Sequence, residues 1–247
     1  LDLHDVTFVP ISALDGDNVV DRSDNMKWYQ GATLLHHLET VYVASDDNQI
    51  DVRFPVQYVI RPHTAEHRDY RGYAGQVAAG VLKPGDEVIV LPSGFTTTIA
   101  AIDTADGQLS EASPGAAVTV RLADDLDVSR GDMICRPHNR PAVSQDLEAM
   151  VCWMDATQPL QQRKVYTLKH TSRTVRAMVT DLRYRLDIST MHRDLDAQAL
   201  ELNEIGRVEL RTTEPIFVDD YRRNRLTGSF ILIDEDTNQT VAGGMVR

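Results

Sequence analysis

Gly75-Gln76-Val77-Ala78-Ala79-Gly80-Val81-Leu82-Lys83-Pro84-Gly85-Asp86-Glu87-Val88 decides how this chain is read. Its alternation predicts a strand over 75–80 and a second strand starting near Val81. Lys83-Pro84-Gly85-Asp86 predicts a tight turn. Proline presets φ at the first corner, and glycine takes the left-handed second corner at no steric cost. The stretch is therefore an antiparallel β unit.

Outward from it the same grammar repeats. Turn clusters Leu91-Pro92-Ser93-Gly94, Asp106-Gly107, Ser113-Pro114-Gly115 and Ser129-Arg130-Gly131-Asp132 separate short apolar runs. They predict strands over 54–60, 87–91, 97–102, 117–122 and 133–135. Many short strands at this spacing make a small closed barrel. A break follows at Arg136-Pro137-His138-Asn139-Arg140-Pro141. Beyond it, strands are predicted over 147–154, 164–170, 174–186, 206–211, 215–218, 229–233 and 240–246, a second barrel. The stretch 194–204 is polar, Leu-spaced and mixed in signal.

Upstream, Val6-Thr7-Phe8-Val9-Pro10-Ile11 is β-branched and apolar, which predicts a buried strand. Ser12 to Asn18 is a polar loop. Leu34, Leu35, Leu38 and Val41 form a helical stripe over 32–41. Ser45-Asp46-Asp47-Asn48-Gln49 is a polar linker. The fold class is thus mainly β: two tandem β-barrels preceded by a strand-loop-helix segment. The expected domains are 1–44, 49–138 and 144–247.

The bulk numbers narrow the function. Of 247 residues, 42% are hydrophobic, and the formal net charge is −12. Nucleic acid is polyanionic and needs a basic face, so no nucleic-acid partner is expected. No apolar run approaches the ~20 residues that span a bilayer. With no export leader in view, the expectation is no membrane and a cytoplasmic location. Cys135 and Cys152 flank or sit in apolar runs and are expected as two buried free thiols in a reducing compartment. The opening on Leu1 and a strand-like run is expected for the tail of a longer protein.

Several motifs have plain readings beside sharper ones. His63-Thr64-Ala65-Glu66-His67 spells an inverted zinc-protease motif, but it joins two β runs without a helical stripe. It reads as a solvated loop. A metal-dependent hydrolase built on His63, Glu66 and His67 is the alternative. Asp69-Tyr70-Arg71-Gly72 spells a γ-phosphate switch yet sits in a barrel, so it reads as a loop. His36 and His37 point about 100° apart on a helix and are poor joint ligands. Asp124-Asp125-Leu126-Asp127 and Asp234-Glu235-Asp236 read as acidic turns, not calcium loops. Arg130-Gly131-Asp132 reads as a turn between strands. Tyr221-Arg222-Arg223-Asn224-Arg225, with Arg183 and Arg185, is the main basic feature. It reads as an exposed loop, with an acidic partner surface or a phosphate as the sharper reading.

A set of longer blocks carries a resemblance. They are Trp28-Tyr29-Gln30-Gly31-Ala32-Thr33-Leu34-Leu35, Phe54-Pro55-Val56-Gln57-Tyr58-Val59, Tyr70-Arg71-Gly72-Tyr73-Ala74-Gly75 and Asn224-Arg225-Leu226-Thr227-Gly228-Ser229-Phe230. Together they resemble the GTPase subunit of the bacterial heterodimeric sulfate adenylyltransferase, including the form fused to an adenylylsulfate kinase domain. The resemblance implies the end of a GTPase domain followed by two translation-factor-like barrels. It implies GTP and Mg²⁺ for the parent protein and a catalytic small subunit as partner. It also implies that Ser12, Ala13 and Leu14 form the guanine-contacting loop. Gly-x-x-x-x-Gly-Lys-Ser/Thr and Asn-Lys-x-Asp do not occur in these 247 residues, so no catalytic residue and no metal ligand is named. No kinase domain is expected after Arg247. The rival reading is a translation-type GTPase fragment that binds tRNA or the ribosome.

Overall fold

The computed structural model describes residues 6–41, 48–62 and 70–247. The chain divides into two compact units, Leu1–Asp46 and Asp47–Arg247.

In the first unit, residues 6–11 form no strand among the described residues. Phe8 is 84% exposed. The expected buried strand is not there, because an apolar run becomes a strand only where a neighbour takes its backbone hydrogen bonds. The helix forms as α1, Leu34–Thr40, and Thr33 caps it with a side chain that accepts from the His36 N–H. Its apolar stripe is real in spacing but unburied; Leu38 is 62% exposed.

The second unit opens with β1 (Arg53–Ile60), β2 (Gly72–Gln76), β3 (Glu87–Leu91), β4 (Thr96–Thr104), β5 (Gly107–Leu109), β6 (Ala117–Leu122) and β7 (Met133–Cys135). The order β3-β7-β1-β2-β6-β4 closes by β4 pairing with β3, and β5 hangs on β4 as a hairpin. Every pairing is antiparallel. The Lys83–Asp86 turn is as predicted: Gly85 sits at φ 91°, and the Asp86 N–H donates to the Lys83 carbonyl. The strand expected over 75–80 stops at Gln76. Ala79 makes only a single bridge to Arg53, and Leu82 one to Ala112. Gly80 explains the break. At φ 71° it passes so close to Val52 that a Cβ would lie 2.5 Å from the Val52 Cα.

The rest comprises β8 (Ala142–Trp153), β9 (Val165–His170), β10 (Arg173–Leu186), β11 (Arg193–Asp194), β12 (Ile205–Val218), β13 (Ser229–Ile233) and β14 (Thr240–Val246). The order β10-β12-β8-β14-β13-β9 closes by β9 pairing with β10. The two strands expected over 206–211 and 215–218 are one strand with a bulge between Arg211 and Ile216. A bulge reads as a gap in sequence because it interrupts the period-2 pattern without ending the strand.

Each barrel holds its own core. Phe54, Val56, Val88, Val90, Ile99 and Ile134 fill the first. Trp153, Tyr166, Leu168, Val208 and Phe230 are among those filling the second, where Trp153 and Tyr166 meet edge to face. Glu87–Leu91 alternates differently. Val88 and Val90 point inward, while Ile89 and Leu91 point outward and are also buried. They join Met133, Cys135 and Phe217 in a third apolar cluster that spans the two barrels.

Candidate functional site

Ser12, Ala13 and Leu14 lie in a tight loop of the first unit. The Ser12 carbonyl accepts from the Gly16 N–H at 2.8 Å, and the Ser12 hydroxyl donates to Asp15 at 2.8 Å. Asn18 organises the loop and was not singled out in sequence. It is 2% exposed, and it sits at φ 56°, a conformation that Asn tolerates better than most residues. Its amide donates to the Pro10 carbonyl, accepts from the Ser23 N–H, and its carbonyl accepts from the Leu34 N–H. The loop and the start of α1 are thus tied together. Ala13 and Leu14 stay exposed, with Leu14 at 94%. Among the described residues neither backbone N–H has an acceptor. The loop therefore presents two adjacent unbonded backbone donors beside a small side chain.

The Trp28-Tyr29-Gln30-Gly31 block braces the same unit. The Tyr29 ring lies over Gly31, where a Cβ would sit 2.3 Å from its hydroxyl oxygen. That hydroxyl donates to the Ala32 carbonyl at 3.0 Å.

The second constellation joins the barrels. Arg53 projects from β1 and meets Asp219 in two parallel hydrogen bonds of 2.8 Å. Their side chains are 1% and 6% exposed. Arg53 Nη1 donates to the Val52 and Asn139 carbonyls, so four of the five guanidinium N–H groups are engaged. Asp219 also accepts from the Thr227 hydroxyl. The Thr227 carbonyl lies 2.8 Å from His170 Nε2, which must therefore carry the proton. Burial pulls the His170 ring below its ordinary range.

Beside this lies Asp51, which accepts from Arg223, Asn139 and Asn48. The Arg223 guanidinium, with the two amides, holds its carboxyl well below the usual carboxylate range. The basic run is thus partly a joint: Arg223 reaches from the second barrel to the first. Arg183 pairs with Glu209, and Arg185 with Glu204 and Asp194. These three arginines already face carboxylates within the chain, which speaks against the sharper alternative of an acidic partner surface or a phosphate at them.

The remaining motifs resolve as follows. His63, Glu66, His67 and Asp69 lie outside the described residues. Among the described residues no group of His, Cys, Asp and Glu could hold a metal. Asp124 accepts from the Thr97 hydroxyl, and Asp234 pairs with Lys164, which holds its carboxyl at about 2. The Arg130-Gly131-Asp132 segment is a turn, with Gly131 at φ 95°. Cys135 and Cys152 are both free thiols; burial pushes the Cys135 thiol up to about 11. Cys152 is only half-buried, because it faces outward from β8 between inward-facing Val151 and Trp153. Among the described residues no helix is long and apolar enough to cross a membrane.

Comparison with known proteins covers the whole chain. Residues 146–247 match the family described as GTP-eEF1A C-terminal domain-like. The chain is 61% identical over 246 residues to the bifunctional enzyme CysN/CysC of Mycobacterium tuberculosis (strain ATCC 25618 / H37Rv), covering 100% of this chain and 40% of that protein. It is 46% identical over 246 residues to sulfate adenylyltransferase subunit 1 of Bacteroides fragilis, covering 100% of this chain and 50% of that protein. The chain therefore spans half or less of the length of these two relatives. The crystal structure of sup35 complexed with GMPPNP superposes with a TM-score of 0.72 at 25% identity, covering 96% of this chain and 57% of that one. Throughout its length the chain is a homologue of sulfate adenylyltransferase subunit 1 and of the CysN/CysC enzymes.

Proposed function

We propose that this chain is the barrel portion of a GTP-hydrolysing subunit of sulfate adenylyltransferase. The whole-length identity to subunit 1 proteins carries this reading. Residues 1–44 are the end of the GTPase domain, and 49–138 and 144–247 are the two barrels. GTP and Mg²⁺ belong to the parent protein, and a catalytic small subunit makes adenylyl sulfate from ATP and sulfate. That product contains a sulfate–phosphate anhydride, so its synthesis is uphill and must be coupled to another reaction. Coupling requires nucleotide state to change the contact with the partner. Barrels locked by a buried, bidentate ion pair and a shared apolar cluster suit this task, since a stiff body transmits rotation without absorbing it.

Within the first unit, the Ala13 and Leu14 N–H groups donate to the guanine carbonyl oxygen. Ala13 leaves room for the base to approach. The reading has two tests. Titration calorimetry of the full-length subunit against the catalytic small subunit should show a stoichiometric complex; its absence overturns the docking role. In the same protein Ala13→Trp should weaken binding of a fluorescent GDP by about tenfold or more, and unchanged binding overturns the loop assignment.

A further inference from the structure

A cleft of about 530 Å³ opens where the outer face of the β9–β13–β14 sheet meets the outer face of the first barrel. In-register pairing sets Lys169, Ile231 and Gly243 in one row across three strands. Met245 flanks the row from the next register position, and Gln57 and Gln76 line the opposite wall. Gly243 leaves a hollow beside Ile231: a Cβ there would touch only Met154, at 3.2 Å. The chain has 37 acidic residues, yet among the described residues none lines this cleft. Lys169 is exposed and, among the described residues, has no ion-pair partner. The floor is therefore apolar, the one charge is a cation awaiting an anion, and polar amides stand at the rim. This is the make-up of a recognition site at a domain junction.

We propose that this cleft receives an extended segment of the catalytic small subunit that sets a carboxylate on Lys169 and an apolar side chain over Ile231 and Gly243. The inference rests on the docking role given under the proposed function. Both barrels are closed, so no long strand edge is offered for β-addition, and side chains must do the recognising. Because the walls come from two barrels fixed together by Phe217 and by Arg53–Asp219, the cleft keeps its shape without the ligand.

Titration calorimetry of full-length subunits tests it. Lys169→Glu should weaken binding of the catalytic subunit about tenfold or more and reduce its salt dependence, while Lys169→Arg retains affinity. Gln76→Trp, which fills the cleft from an exposed position, should weaken binding similarly. Arg211→Glu, on an exposed part of β12, serves as the control and should not. Unchanged melting temperatures show that each variant is folded. If the unmodified subunits bind and both cleft variants bind as tightly, the cleft assignment is overturned and the docking role survives. If the unmodified subunits do not bind, both fall. A photo-cross-linker at Gln57 should capture a small-subunit peptide containing Asp or Glu; a captured peptide with neither would overturn the charge pairing.

Discussion

Two apolar runs in this chain look alike and end differently. Val6–Ile11 and Val88–Leu91 are both apolar and rich in β-branched residues. The first is largely exposed and forms no strand among the described residues. The second is a strand buried on both faces, with Val88 and Val90 in the first barrel and Ile89 and Leu91 against Phe217 of the second. Composition sets how much a segment gains from burial; only a partner sheet lets it collect that gain.

The largest expected effect tests the joint that gives the second run its partner. Arg53→Ala leaves Asp219 buried without its counter-ion and should cost about 3–5 kcal/mol in urea unfolding. Replacing both, Arg53→Met with Asp219→Leu, should recover much of that loss, because no uncompensated charge remains. Full cost in the double variant would mean that the pair is needed for geometry and not only for neutralisation.

Next comes Phe217. Truncation to Ala should cost about 3 kcal/mol, as for a core aromatic, even though Phe217 points away from its own barrel's core. A cost below about 1 kcal/mol would show that the shared cluster is a loose contact. Arg173 lies over this ring at 5.2 Å, so part of the cost is a lost cation–π contact.

A smaller effect concerns pH. Burial depresses the folded His170 pKa, so its neutral form is favoured in the fold. The stability it contributes is fully present above the unfolded value, near 6.5, and is lost as pH falls below that value. Stability should thus decline between pH 7 and pH 5 by at most about 1.4 kcal/mol per pH unit from this residue. His170→Gln should flatten that slope, read as the melting temperature against pH. An unchanged slope would place the titration elsewhere.

The smallest effect closes the comparison. Phe8→Ala should change the stability of this chain by less than about 0.5 kcal/mol, because Phe8 is 84% exposed. Hydrogen exchange should agree, with the 6–11 amides exchanging fast and the β3 amides slowly.

Much of the fold was legible from local rules. β3, β6, β7, β13 and β14 run as their alternation predicts, and Pro84-Gly85 and Arg130-Gly131-Asp132 turn as their residues require. The guanine-loop assignment came from resemblance. The organiser of that loop, Asn18, gives no signal beyond its tolerance of positive φ. Arg53 was not singled out in sequence; it lies one residue before the expected strand over 54–60, and its partner is Asp219, 166 residues away.

Local chemistry in the sequence therefore determined two closed β-barrels, their turns and the helical spacing of 34–41, since these depend on periodicity and backbone preference between near neighbours. Tertiary structure alone decided which faces are buried twice, that Arg223 serves Asp51, and that Lys169 faces a cleft lined by no acid among the described residues. Those outcomes depend on which distant surfaces meet, and no local pattern encodes that.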